Sequence, residues 1–167
     1  MRLIIHDLNQ QNADLVDALK MSDVTVVADN GKIRPCLGCF DCWIKTPGKC
    51  IQKDDYNNMA ELLSQCDEVC IISECRYGSF SPFIKNVMDR SLGYLHPYFK
   101  MIDGEMHHRR RYPKVLKTRV YFYGIDLTEE EKSTFREVIS RNALNLSMDV
   151  QNINYLESIG ELKVVAI

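Results

Sequence analysis

A chain of 167 residues, 46% hydrophobic and 26% charged, is long enough to bury one sizeable core without help from disulfides. Its formal net charge of −2 excludes the basic excess of a nucleic-acid binder, and no apolar run is long enough to span a bilayer. The first residues lack a signal-peptide pattern, and an odd count of seven cysteines fits a reducing compartment; a cytoplasmic protein without nucleic-acid or membrane partners is the expectation.

Residues 2–8 form a short apolar run that reads as a buried strand, and Asn12 stands as a cap ahead of Leu15, Val16, Ala18 and Leu19. Val24 to Val27 give a second β-branched run, ended by the turn signal Asp29-Asn30-Gly31. After a cysteine-rich loop at 33–56, Met59, Leu62 and Leu63 carry helical spacing, with Asp54 and Asp55 read as acidic capping of that helix. Residues 68–73 predict a third strand. Ser81 followed by Pro82 predicts a helix start whose inward face is Ile84, Val87, Met88 and Leu92. Residues 95–114 read as a long loop, and residues 119–123 as a fourth strand. Thr128 with Glu131 makes a capping box for a helix with Phe135, Val138, Ile139, Ala143 and Leu146 inward. Two apolar runs follow, at 152–156 and 162–167, of which at least one should complete the sheet. The alternation predicts a single α/β domain over 1–167, with a five-stranded parallel sheet between helices.

Two stretches carry chemistry. Cys36, Cys39, Cys42 and Cys50 fall within fifteen residues in a C-x2-C-x2-C-x7-C pattern. Three thiols spaced by two turn inward on a tight loop, and a fourth closes the set, which suits an iron-sulfur cluster or a four-thiolate zinc site. Reduced cysteines packed under a loop are the alternative, and a Cys39–Cys42 dithiol a further one. The other stretch is a strand running through Arg76, Tyr77, Gly78, Ser79 and Phe80 into the Ser81-Pro82 helix. In an open α/β sheet such a turn lies at the carboxyl edge, where ligands bind. The basic cluster His107 to Arg111 in the long loop is a possible partner for a phosphate-bearing ligand such as the tail of NADPH, or else a solvated face or dimer contact.

With both stretches in view, the chain resembles the flavodoxin-like NAD(P)H-dependent FMN reductase family, and within it the iron-sulfur flavoproteins. The resemblance implies a three-layer flavodoxin-like sandwich with strand order 2-1-3-4-5, FMN at the carboxyl edge, reduction by NAD(P)H, and assembly as a homodimer or homotetramer. It implies that Arg76 to Phe80 lie along the isoalloxazine ring, and that Cys36, Cys39, Cys42 and Cys50 hold a [4Fe-4S] cluster exchanging electrons with the flavin. The acceptor would be a small molecule or a redox protein.

One stretch departs from that pattern. Relatives cradle the FMN phosphate with a Gly/Ser/Thr-rich first loop, whereas no glycine, serine or threonine lies between Met1 and Met21 here. Side-chain amides of Asn9, Gln11 and Asn12 are the remaining phosphate donors, and Asp7 places a negative charge beside them. The two function classes are therefore a flavin-dependent oxidoreductase or electron-transfer flavoprotein, and a flavodoxin-like binding or regulatory module without FMN, with or without a metal at the cysteine loop.

Overall fold

The computed structural model describes residues 1–162. The predicted strand over 163–167 lies outside the described residues, and the strand that completes the sheet is the earlier run. The elements are β1 (Arg2–His6), α1 (Ala13–Leu19), β2 (Val24–Ala28), α2 (Asp41–Ile44), α3 (Met59–Gln65), β3 (Glu68–Glu74) and α4 (Pro82–Arg90), followed by β4 (Leu95–Ile102), β5 (Glu105–Arg110), β6 (Leu116–Tyr123), α5 (Glu129–Leu146) and β7 (Met148–Leu156). The main sheet is parallel, in the order β2-β1-β3-β6-β7. This is the expected 2-1-3-4-5 arrangement once the inserted hairpin β4–β5 is left out of the count.

Burial on both faces explains why the central strands read as continuous apolar runs. Leu3, Ile5, Val69, Ile71, Val120 and Phe122 pack against Met59 and Leu63 of α3, Ile84 and Val87 of α4, and Phe135 and Ile139 of α5. The alternate residues Ile4, Cys70, Ile72 and Tyr121 pack with Leu19 of α1 and Leu162 on the other face. Both predicted helix starts form. Ser81 Oγ accepts from the Ile84 amide, and Thr128 and Glu131 make a reciprocal capping box.

Residues 95–114 are not a loop. Leu95–Ile102 and Glu105–Arg110 pair as an antiparallel hairpin, turned by Asp103 and Gly104 with φ of 49° and 84°. A two-residue turn with positive φ at both positions matches strand twist, and Asp-Gly is a strong sequence signal for it. Alternation along β5 then disperses the basic cluster. His107 turns inward to Asn145 (2.9 Å), Arg109 Nε donates to the Phe99 carbonyl, and the Arg111 guanidinium donates to the carbonyls of Gly93 and Leu95. His108 lies between Trp43 and Phe99, with ring centroids 4.8 and 4.7 Å away.

Asp54 and Asp55 do not cap α3. Asn58 occupies that N-cap, while Asp55 accepts from Asn30 and Asp54 meets Arg90 of α4.

Candidate functional site

A sheet in this order reverses its winding between β1 and β3, so the crevice beyond their carboxyl ends is where a ligand is expected. The residue that leaves β1 there is Asp7. Its carboxylate accepts from the Glu74 amide at the end of β3 (2.8 Å) and from the Tyr123 hydroxyl at the end of β6 (2.9 Å). Burial raises the Asp7 pKa against these bonds, and burial likewise raises that of Tyr123. Asp7 therefore ties β1, β3 and β6 together at the switch point.

The turn after β3 is built as a second two-residue hairpin. Tyr77 and Gly78 have φ of 54° and 71°, and Arg76 and Ser79 exchange backbone hydrogen bonds of 3.0 Å in both directions. The Ser79 amide, on the turn expected along the isoalloxazine ring, is thus engaged within the turn. The Cys75 thiol beside the turn donates to Glu131 Oε1 of α5 (3.6 Å). Gly78 is required here by packing as well as by φ, because a Cβ would stand 2.9 Å from Thr134 Cβ and 3.0 Å from the Glu131 carbonyl of α5. Phe80 is buried against Phe135 (5.1 Å, edge-on), whereas the Tyr77 ring is 95% exposed.

The first loop also satisfies itself. Asn9 Oδ1 accepts from the Gln11 amide (3.0 Å) and from Asn12 Nδ2 (3.1 Å), and the Asn12 amide donates to the Asn9 carbonyl. The Leu8 amide donates to His6 Nδ1 (3.2 Å). Burial, with a smaller effect of Lys20, lowers the His6 pKa to about 4, so this ring is neutral at pH 7. Of the three proposed phosphate donors, the Asn12 side-chain amide is turned onto Asn9, and Asn9 presents its oxygen to the loop.

All four cysteines of the expected ligand set line one pocket, with Phe40, Ile51, Arg90 and Leu92. Cys36 and Cys39 are exposed, and Cys42 and Cys50 are half-buried. Cys42 rides on the one-turn helix α2, which the sequence reading did not anticipate. Burial and the neighbouring thiols Cys50, Cys36 and Cys39 raise the Cys42 pKa. Among the described residues no three His, Cys, Asp or Glu side chains are gathered closely enough for a single metal ion. Four thiols are by their chemistry soft-metal donors. Trp43 fastens the loop to the hairpin base, donating from Nε1 to the Leu95 carbonyl (2.9 Å) and stacking on Phe40 (5.5 Å).

Sequence reasoning missed Arg90. Its side chain is 0% exposed, and Nε donates to Cys50 Sγ (3.1 Å), while the two terminal nitrogens grip the Asp54 carboxylate at 2.8 Å each. An arginine at the end of an amphipathic helix ordinarily signals solvent and the helix C-terminus, so its position alone carried no hint of burial.

The sheet order, the turn at the switch point and the helices on both faces define a flavodoxin-like α/β fold. Among solved structures the chain is similar to the NADPH-quinone reductase of P. pentosaceus (TM-score 0.56, 15% identity, 99% of this chain and 90% of that one). It is also similar to the Trp repressor binding protein of Bacillus subtilis (0.54, 14%, 95% and 88%). A third such structure is an FMN-dependent NADH-azoreductase of Bacillus anthracis in complex with FMN (0.53, 10%, 93% and 84%).

In sequence the chain resembles two iron-sulfur flavoproteins of Archaeoglobus fulgidus, as the cysteine loop and the Tyr-Gly turn had implied. One is 35% identical over 65 residues, 39% of this chain and 29% of the relative; the other is 33% identical over 60 residues, 36% and 28%. The chain thus matches less than a third of the length of these curated relatives. No family model matches it. Among the described residues no helix is long and apolar enough to cross a membrane.

Proposed function

We propose that the protein is a flavin-dependent oxidoreductase, in which a flavin ring beside the β3–α4 turn takes electrons from NAD(P)H and delivers them to a small-molecule acceptor or a redox protein. The observation that carries this reading is Tyr77: a ring 95% exposed on a turn locked by its own hydrogen bonds, at the carboxyl edge of a flavodoxin-like sheet. A rigid, solvent-facing aromatic is a surface on which a planar ring stacks. The resemblance to iron-sulfur flavoproteins and the likeness to flavin-using reductases support the same class. A bound flavin supplies the two-electron chemistry; the chain supplies orientation.

Tyr77→Gly tests the placement cleanly, since glycine accepts the turn's positive φ without strain. Flavin affinity, read by quenching of flavin fluorescence, is expected to fall about tenfold, the value of one good aromatic contact, while thermal stability stays within error. Unchanged affinity would place the ring elsewhere.

A second group is favoured by the shared pocket of Cys36, Cys39, Cys42 and Cys50. We propose that they hold an iron-sulfur cluster, with the Arg90 Nε–H directed at Cys50 Sγ as a hydrogen bond to a ligating sulfur. Protein purified without oxygen is expected to contain iron and acid-labile sulfide with broad visible absorbance, and Cys42→Ser to lose them. Colourless protein without iron would remove the cluster from the proposal. Assembly as a homodimer or homotetramer is supported by the exposed apolar side chains Tyr98, Phe99, Met101 and Met106 on the hairpin.

A further inference from the structure

Flavin phosphate needs a cradle, and the first loop is where this fold would build one. Several of its would-be donors are otherwise engaged. Of the loop amides, Asp7 donates to the Ile72 carbonyl, Leu8 to His6 Nδ1, Gln11 to Asn9 Oδ1 and Asn12 to the Asn9 carbonyl. The Asn9 side chain presents its oxygen, an acceptor, to the loop interior. Helix α1 has only seven residues and carries Asp14 in its first turn, a carboxylate that opposes an anion at this end.

Charge points the same way. Asp14 lies in the first turn of α1, and the cleft beside the loop is lined by His6, Asn9, Asp17, Lys20 and Asp29. Lys20 is paired with Asp17 at 2.8 Å, and Arg76 across the edge is paired with Glu74 at 2.9 Å. Asp7 occupies the crevice itself, held by the Glu74 amide and the Tyr123 hydroxyl. A dianionic phosphate would therefore meet carboxylates, with the Leu8, Gln11 and Asn12 amides already bonded within the loop.

We infer that this chain recognises a flavin by its ring alone and holds no 5'-phosphate, so that its ligand class is the isoalloxazine, with riboflavin accepted as readily as FMN. The inference rests on the flavin reading given above and narrows it. A flavin held without its phosphate is a dissociable substrate-like ligand, whereas a phosphate clamp makes a resident cofactor.

The experiment is a pair of titrations of the full chain, with riboflavin and with FMN, followed by flavin fluorescence, each repeated with millimolar inorganic phosphate. A cradle of several charge-assisted hydrogen bonds would favour FMN by roughly 100-fold or more. The expected result is dissociation constants within about threefold of each other, unmoved by inorganic phosphate. A preference for FMN of tenfold or more, or displacement of FMN by phosphate, overturns the inference and leaves the flavin reading standing. Failure of both flavins to bind overturns the flavin reading, and the inference with it.

Discussion

Replacing Arg90 with methionine is expected to destabilise the protein by about 3–5 kcal/mol, the cost of leaving a buried charge without its partner. The side chains of Arg90 and Asp54 are 0% and 7% exposed, and the pair is bidentate at 2.8 Å. Arg90 also donates to the Arg34 carbonyl (2.8 Å) and to Cys50 Sγ (3.1 Å), so one guanidinium fastens both ends of the cysteine loop to α4. Its loss strands the Asp54 carboxylate and frees the loop together. In thermal unfolding the midpoint should fall by on the order of 10 °C. Adding Asp54→Leu to Arg90→Met should recover part of that loss, because no charge is left stranded while the Arg34 and Tyr56 amides lose their acceptor. A single variant that melts within about 2 °C of the parent would contradict this assignment.

The same pair sets a pH dependence. The Arg90 hydrogen bonds hold the Asp54 pKa at about 2, below its ordinary value of 3.8. A depressed folded-state value stabilises the fold fully above the unfolded pKa, and the contribution is lost as pH falls through the folded one. Parent stability should therefore drop between about pH 4 and pH 2 by an increment that the double variant lacks.

Phe135→Ala is the second large effect, expected at about 3–5 kcal/mol in urea unfolding with an unchanged m value. Phe135 is 0% exposed, stacked on Phe122 of β6 at 3.6 Å and 13°, and met edge-on by Phe80 at 5.1 Å and 83°. Truncation opens a cavity between α5 and the sheet. It also removes the wall against which Phe80 seats the Tyr77 turn, so flavin affinity should fall along with stability. Phe135→Leu, which keeps most of the volume, should cost about 1–2 kcal/mol. A Phe135→Ala variant as stable as the leucine one would mean that the site collapses around the gap.

Local chemistry in the sequence determined the alternation of apolar strands and amphipathic helices, the Ser81-Pro82 and Thr128-Glu131 helix starts, and the grouping of four thiols on one loop. These depend on neighbours within a few residues, where spacing and backbone preference act directly. The hairpin over 95–110 was legible too, in Asp103-Gly104, although prolines and aromatics nearby favoured a loop reading. What only the tertiary structure decided are the pairings across the fold. Asp7 reaches partners 67 and 116 residues away and fills the switch point, and Asp54 meets Arg90 across 36 residues. A carboxylate read alone offers a charge and a capping oxygen; which donor reaches it, and whether water is excluded, depends on elements brought together by burial of the core. For the same reason the glycine-free first loop showed only a departure from the expected phosphate pattern, and the folded loop showed the Leu8, Gln11 and Asn12 amides bonded to His6 and Asn9.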